Sequence, residues 1–277
     1  MYTKIIVLIT AVIGLITGVV GYFQKVTPKP TPEPTQIPTI YPTSEPTQSP
    51  TPEPTQAPTP EPTQAPIEFD YYETENGYVV INHYNGTASI VEIPDEINGK
   101  PVAVIGSRAF AENGSLHRVS LPENIQIIET QAFYYCKNLI SVDLPDSLRE
   151  IQDSAFCECR VLKEIILPEG LLILGSHAFS KCISLTEISI PGTVDEIGDY
   201  CFYRCSNIES VAIGEGCRII QGSAFHNCTM LSRVSIPNTM ELIEEWAFYQ
   251  CGNLKSVSVP KECIYTRGFQ STSVTQR

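Results

Sequence analysis

Basic residues are scarce and scattered: 18 Lys and Arg stand against 31 Asp and Glu, a net charge of −13 at pH 7. No Lys/Arg cluster exists, and an acidic field raises the cost of approaching phosphate backbones or anionic lipid, so nucleic-acid binding is not expected. Signatures of catalysis are missing as well. There is no Gly-x-Ser-x-Gly nucleophile motif and no phosphate-cradling glycine loop. His83, His117, His177 and His226 fall at unrelated positions of the pattern described below, so register assembles neither a zinc triad nor a Cys-His dyad. The carboxylates are dispersed over turn and outward strand positions. The expectation is a protein without enzymatic activity or cofactor.

What is present is distributed unevenly. Residues 1–26 contain no acid and two lysines, and from Ile5 to Phe23 there are 19 residues without a charge. As a helix this run spans ~28 Å, close to a bilayer core of ~30 Å. It is long for a secretory signal, although Val19-Val20-Gly21 is a tolerable cleavage site, so a retained anchor is favoured over a cleaved signal. Residues 27–66 hold 14 of the 22 prolines, with Thr at every fourth position from Thr27 to Thr63 and Pro at every fourth from Pro30 to Pro66. No core can form there. Proline fixes φ and removes donors, so the segment reads as a polyproline II or disordered stalk reaching at most ~124 Å. A spacer of that reach suits a domain held clear of a membrane and its wall, which places the remainder outside the cell.

From Ile67 onward the chain reads as globular and carries the acid excess, 15 basic against 27 acidic residues. It is governed by a repeat of 23 residues. Six units run without insertion from Pro122 to Val259, for example PENIQIIETQAFYYCKNLISVDL, and a divergent one occupies Gly99–Leu121. Phe fills one column at Phe110, Phe133, Phe156, Phe179, Phe202, Phe225 and Phe248; stacked coils would bring these rings into a ladder at the ~4.8 Å strand spacing. The segment Leu139-x-x-Val142-x-Leu144 and its copies read as short parallel strands with Val and the last Leu inward and Ser141 and Asp143 outward. Pro follows in every unit but one, where Gly214 stands, and ends the ladder. Ile125 and Ile128 line the opposite wall. The small residue before each Phe marks a tight turn expected to enter a short helical or 3₁₀ segment.

The segments flanking the repeats, residues 67–98 and 260–277, read as caps. The first shows alternating strands with turns at Glu75-Asn76-Gly77 and Asn85-Gly86, suited to a hairpin-like cover. In the second the register lapses, and Phe269 falls two residues early for its column.

Ten cysteines invite a disulfide reading, yet Cys136, Cys159, Cys182, Cys205, Cys228 and Cys251 share one column. In-register Cβ atoms ~4.8 Å apart lie slightly beyond the ~3.5–4.5 Å of a bridge, which favours buried free thiols. Cys201 and Cys217 replace core Ala and Ile; Cys157 and Cys263 are less constrained. Cys157-Glu158-Cys159 has no accompanying ligand pair, so metal binding is not expected. The three Asn-x-Ser/Thr sequons, at Asn85, Asn113 and Asn227, read as chance occurrences.

The columns Pro-x-x-Ile-x-x-Ile-x-x-x-Ala-Phe-x-x-Cys-x-x-Leu-x-x-Val-x-Leu resemble the BspA-type (bacterial surface antigen A-like) leucine-rich repeats over Gly99–Val259, and Tyr71–Pro94 looks like the lead-in segment often seen before them. The resemblance implies an α/β leucine-rich-repeat solenoid, a right-handed horseshoe or arc with a parallel sheet on its concave side. It also implies bacterial cell-surface proteins that bind host proteins, other cells or matrix, and it carries no catalytic residues. Asn113 departs from the Cys column. If a ligand binds, a protein or polysaccharide outside the cell, the expected contact surface is the concave face: Arg118, Ser141, Asp143, Glu164, Glu187, Ser189 and Arg233. The rival reading is a structural scaffold without a specific ligand. A second candidate is the edge after each Phe, where Tyr134, Tyr135, Tyr203, His226 and Tyr249 gather, though covering the turn explains them as well.

Overall fold

A computed structural model describes residues 68–269 and 272–277. The expected anchor and stalk, residues 1–26 and 27–66, lie outside the described residues; among those described no helix is long and apolar enough to cross a membrane.

The chain winds into a β-solenoid of about eight turns. One wall is built from the Ile-x-x-Ile part of the repeat. Its two-residue strands, among them Ile127–Ile128, Glu150–Ile151, Ile173–Leu174, Glu196–Ile197, Ile219–Ile220 and Leu242–Ile243, form a single parallel ladder in an 11-stranded sheet. Register is kept coil to coil, Ile128 beside Ile151 and Ile197 beside Ile220, so one buried column never slips to the outer face.

The facing wall carries the Leu-x-x-Val-x-Leu part. Here the strands group into separate sheets: Ile90–Glu92 with Arg118–Ser120 and Ser141–Asp143; Glu187–Ile190 with Ser210–Ile213 and Arg233–Ser235; and Ser256–Val259 with Ser273–Gln276. Between the first two groups, residues 162–168 form no strand. The break falls where Glu164 and Glu187 would be neighbours in an outward column, and like charges directly opposite each other weaken strand pairing.

The third side is the Ala-Phe corner, where the expected helical segment is corrected: no helix forms among the described residues. Gln131 and Tyr135, flanking Ala132-Phe133-Tyr134, have φ of 60° and 56°, and the seven repeats from Arg108/Glu112 to Trp246/Gln250 each carry this pair of left-handed residues. The amides of Gln131, Phe133 and Tyr135 donate to Asp153, Ala155 and Cys157 of the next coil, while those of Ala132, Tyr134 and Cys136 donate three residues back. A helix would turn every donor onto its own segment and leave nothing to join neighbouring coils. Left-handed φ costs a non-glycine residue on the order of 1 kcal/mol, and inter-coil hydrogen bonding with full satisfaction of the amides holds it in place.

This corner sends the Phe column inward. The rings from Phe110 to Phe248 are at most 1 % exposed and stack 5.0–5.5 Å apart, within 16° of parallel. Tyr84 continues the ladder at the front, 5.2 Å from Phe110. Phe269 continues it at the back, 5.0 Å from Phe248, so the ladder does not lapse where the sequence spacing does. The last coil accommodates this by shortening: Ile264 pairs with Leu242 and Ser273 with Ser256.

Beside the rings runs a row of thiols. All ten cysteines are free and buried. Each Cys of the shared column donates its S–H to the Phe carbonyl 26 residues earlier, at 3.0–3.2 Å. Where Asn113 replaces Cys, its Oδ1 accepts the amides of Ser115 and Leu116 instead.

At the front, Phe69–Glu73 and Val79–Tyr84 form the expected hairpin around Gly77, φ 82°. Asn85-Gly86 is not a second hairpin turn, because Val79–Tyr84 pairs parallel with Lys100–Ile105 and the chain passes to the other wall there. A two-residue hairpin occurs instead at Asn98-Gly99, where φ of 54° and 71° suits Asn-Gly. The substitution of Pro by Gly214 also has a cause: a Cβ there would come 2.4 Å from the Gly192 amide nitrogen of the preceding coil.

Candidate functional site

Alternation along each short strand turns every second side chain out of the facing wall, and stacking aligns these into two outward columns. Arg118, Ser141 and Asp143 stand on the first group of strands, with Arg118 beside Ser141. Glu187, Ser189 and Arg233 stand on the second, with Ser210 between Glu187 and Arg233. Glu164 lies in the strandless stretch that separates them.

Four of the seven, Glu164, Glu187, Ser189 and Arg233, line one shallow depression of about 970 Å³ that crosses six successive coils. Arg118, Ser141 and Asp143 are not among its lining residues. Ile166 at its rim is 83 % exposed, the most exposed large apolar side chain described. The floor is serine-rich, including Ser210, Ser235 and Ser258, and Glu187 and Arg233 make no ion pair among the described residues. The arrangement offers charges of both signs, hydroxyl donors and acceptors, and one apolar contact over a long, open surface. Nothing in it positions a nucleophile against a base.

The turn edge carries a different chemistry. Tyr203 and His226 meet edge to face at 5.3 Å, and His226 meets Tyr249 at 5.1 Å, while Tyr134 and Tyr135 lie apart, toward the front of the solenoid. Burial holds the His226 imidazolium below its usual range. Sequence reasoning missed the neighbouring column two residues before each Phe, which holds His177, Tyr200, Ser223 and Trp246. Left-handed φ is shared by all four; His177, Tyr200 and Trp246 reach the surface while Ser223 is buried, and the sequence signal was a Trp and a Tyr among otherwise polar residues.

The thiol row offers no nucleophile. Burial pushes Cys136 and Cys251 up to about 12, so the reactive thiolate is suppressed. Cys157 and Cys159 do not pair as ligands; among the described residues no group of three or more His, Cys, Asp or Glu could hold a metal ion. Glu158 between them, with a side chain 8 % exposed, is ion-paired with Arg160 at 2.8 Å and with Lys181. Burial alone would raise its carboxyl, but the two cations hold it net below the usual carboxylate value.

Comparison with known proteins agrees with this architecture. The family model described as a BspA type leucine-rich repeat region matches in six copies over residues 84–206 and 150–275. A leucine-rich repeat protein of T. pallidum is 33 % identical, with a TM-score of 0.65, covering 69 % of this chain and 89 % of its own. A leucine-rich repeat protein of Bacteroides ovatus is 25 % identical over 71 % of this chain and 58 % of its own, with a TM-score of 0.54. One from Eubacterium ventriosum shares the fold at 20 % identity, covering 70 % of this chain and 61 % of its own, with a TM-score of 0.56. No curated protein matches the sequence. The six-copy match, the one-third identity to a solved repeat protein and the ladder of coils together establish that the chain belongs to the BspA-type leucine-rich repeat family.

Proposed function

We infer that this protein is a bacterial surface recognition module that binds a protein or polysaccharide non-covalently along its facing wall, without catalysis. The observation that carries the reading is the depression over six coils, lined by Glu164, Glu187, Ser189 and Arg233. Its length suits an extended ligand crossing several strands, and its mixed charge suits specific polar contacts rather than a single electrostatic attraction. Membership of a surface-antigen repeat family supports display outside the cell, and the apolar run Ile5–Phe23 supplies an anchor or export signal.

The test is capture from a panel of matrix proteins, host-cell lysates and polysaccharides, followed by affinity measurement with a Glu164→Ser/Glu187→Ser/Arg233→Ser variant. A ligand held by the wild-type chain and weakened at least tenfold in the variant supports the reading. Capture unaffected by the triple change, or no ligand above a surface-scrambled control, favours a scaffold without specific binding. Proteolysis of intact cells checks display: fragments cut between residues 27 and 66 place the repeats outside, and full protection contradicts it.

A further inference from the structure

The column two residues before each Phe reads His177, Tyr200, Ser223, Trp246 along four successive coils. His177 and Tyr200 show what planar groups do there: their rings lie 4.9 Å apart and 1° from parallel. Ser223 interrupts the series. A planar side chain at that position would fill the space between Tyr200 and Trp246; the serine leaves it open. Tyr200 and Trp246 line a cavity of about 410 Å³ with Ser223, itself 2 % exposed, at its base. Two coil spacings separate the aromatic residues, ~9.6 Å, so a flat group centred between them would lie ~4.8 Å from each, within cation–π range.

The rim is acidic. Asp199, Glu244 and Glu245 line the same cavity. Glu244 accepts the Gly222 amide through Oε2 at 3.0 Å, and Asp199 Oδ1 closes over the same glycine, 3.0 Å from where a Cβ would stand. The side chains of Asp199 and Glu245 take no hydrogen bond or ion pair among the described residues. The same edge already shows which group its rings accept: Arg204 lies over the Tyr203 ring at 5.2 Å and Arg160 over Tyr135 at 6.0 Å.

We propose that the slot between Tyr200 and Trp246 binds a guanidinium group, the side chain of an arginine presented by a partner protein, stacked between the two rings and hydrogen-bonded to the carboxylates of Asp199 and Glu245. Guanidinium is planar, so it fits the missing rung. It stacks on aromatic faces, and its forked donors match acceptor-only carboxylates. A lysine ammonium would satisfy the charge but not the flat gap. This site lies on the turn edge and uses none of the facing-wall residues, so it stands or falls independently of the function proposed above.

Trp246 is the single tryptophan of the chain, and its emission therefore reports the slot directly. The full chain is titrated with N-acetyl-arginine amide, with the citrulline analogue as the uncharged isostere and a methyl pyranoside, whose C–H face also packs on aromatic rings, as the alternative ligand. Saturable change with the arginine probe at a concentration at least tenfold below that for citrulline, weakening as salt rises, is the expected result. Ser223→Tyr fills the gap with a residue the column already holds at Tyr200 in the same left-handed conformation, φ 56° against 54°, and removes the response. Glu245→Gln, an exposed change, weakens it about threefold or more. Equal responses to arginine and citrulline, a response to the pyranoside alone, persistence in Ser223→Tyr, or no saturable change would each overturn the proposal.

Discussion

Truncating the middle of the ring ladder, Phe179→Ala, separates a solenoid stabilised coil by coil from one stabilised as a uniform whole. Phe179 is fully buried between Phe156 at 5.2 Å and Phe202 at 5.5 Å, so the change removes one side chain from the core and two stacking contacts. Core Phe→Ala changes cost about 3–5 kcal/mol, and hydrogen bonds at the corner and along the Ile-x-x-Ile wall limit how far the neighbouring coils can collapse into the gap, although the facing wall has no strand pairing between residues 162–168 and Glu187–Ile190. In a stack where each coil touches only its neighbours, weakening two adjacent interfaces also uncouples the halves. Urea unfolding followed by Trp246 emission reports the half of the solenoid beyond the lesion, and far-ultraviolet circular dichroism reports the whole. The two curves should coincide in the wild-type chain and separate in Phe179→Ala. The double change Phe179→Ala/Phe202→Ala should cost less than the sum of its parts, whereas Phe133→Ala/Phe225→Ala, four coils apart, should be additive within ~0.5 kcal/mol. A loss below about 1 kcal/mol, or coincident curves together with additivity for the adjacent pair, would refute the reasoning.

Two further outcomes concern ionisation. The thiols of Cys136, Cys217 and Cys251, pushed up to about 12 by burial, stay neutral in the folded chain while the unfolded chain ionises near 9.0; stability is therefore whole below pH 9 and falls as pH rises towards 12, by up to ~1.4 kcal/mol per pH unit for each such thiol. Denaturant midpoints measured between pH 8 and 11 should show that slope, reduced in Cys136→Ala/Cys251→Ala; an unchanged slope would mean that the row is not responsible. Lys181→Met removes one of two cations from the buried Glu158 carboxylate and should cost about 1–3 kcal/mol at pH 7. Because the native carboxyl titrates below its usual value, its contribution is present above that value and lost as pH falls through the lowered one, so wild type and variant should converge in stability in acid; a gap that stays constant from pH 7 to pH 3 would contradict this.

The repeat made most of the scaffold readable in advance. Strict spacing of Phe, Cys and Pro places like residues over like, and alternation in Leu139-x-x-Val142-x-Leu144 assigns inward and outward sides without coordinates. Three features were not readable. The corner at Gln131–Tyr135 looks helical because its residues have no glycine to announce left-handed φ, and only the demand for inter-coil donors selects that conformation. Phe269 looks out of register because spacing counts residues, whereas the final coil sheds them between strands and still delivers its ring to the ladder. The break at residues 162–168 lies beside the like-charged positions Glu164 and Glu187 of neighbouring coils, and a column-by-column reading treats such neighbours as independent. Of the proposed contact residues, the outward placement of Glu187, Ser189 and Arg233 follows from alternation alone. Their grouping with Glu164 around one depression, apart from Arg118, Ser141 and Asp143, required the three-dimensional arrangement.

The alternating direction of the corner amides also bears on how such a protein can change over generations. Each coil is tied to the next through every second peptide of the corner, so adding or deleting a single residue there would misdirect the whole set of donors that follows. Two kinds of variation remain cheap: copying or losing an entire turn, and exchanging side chains that face the solvent. A lineage built on this plan can lengthen its contact area or rewrite its chemistry, one outward position at a time, while the interior stays as it was.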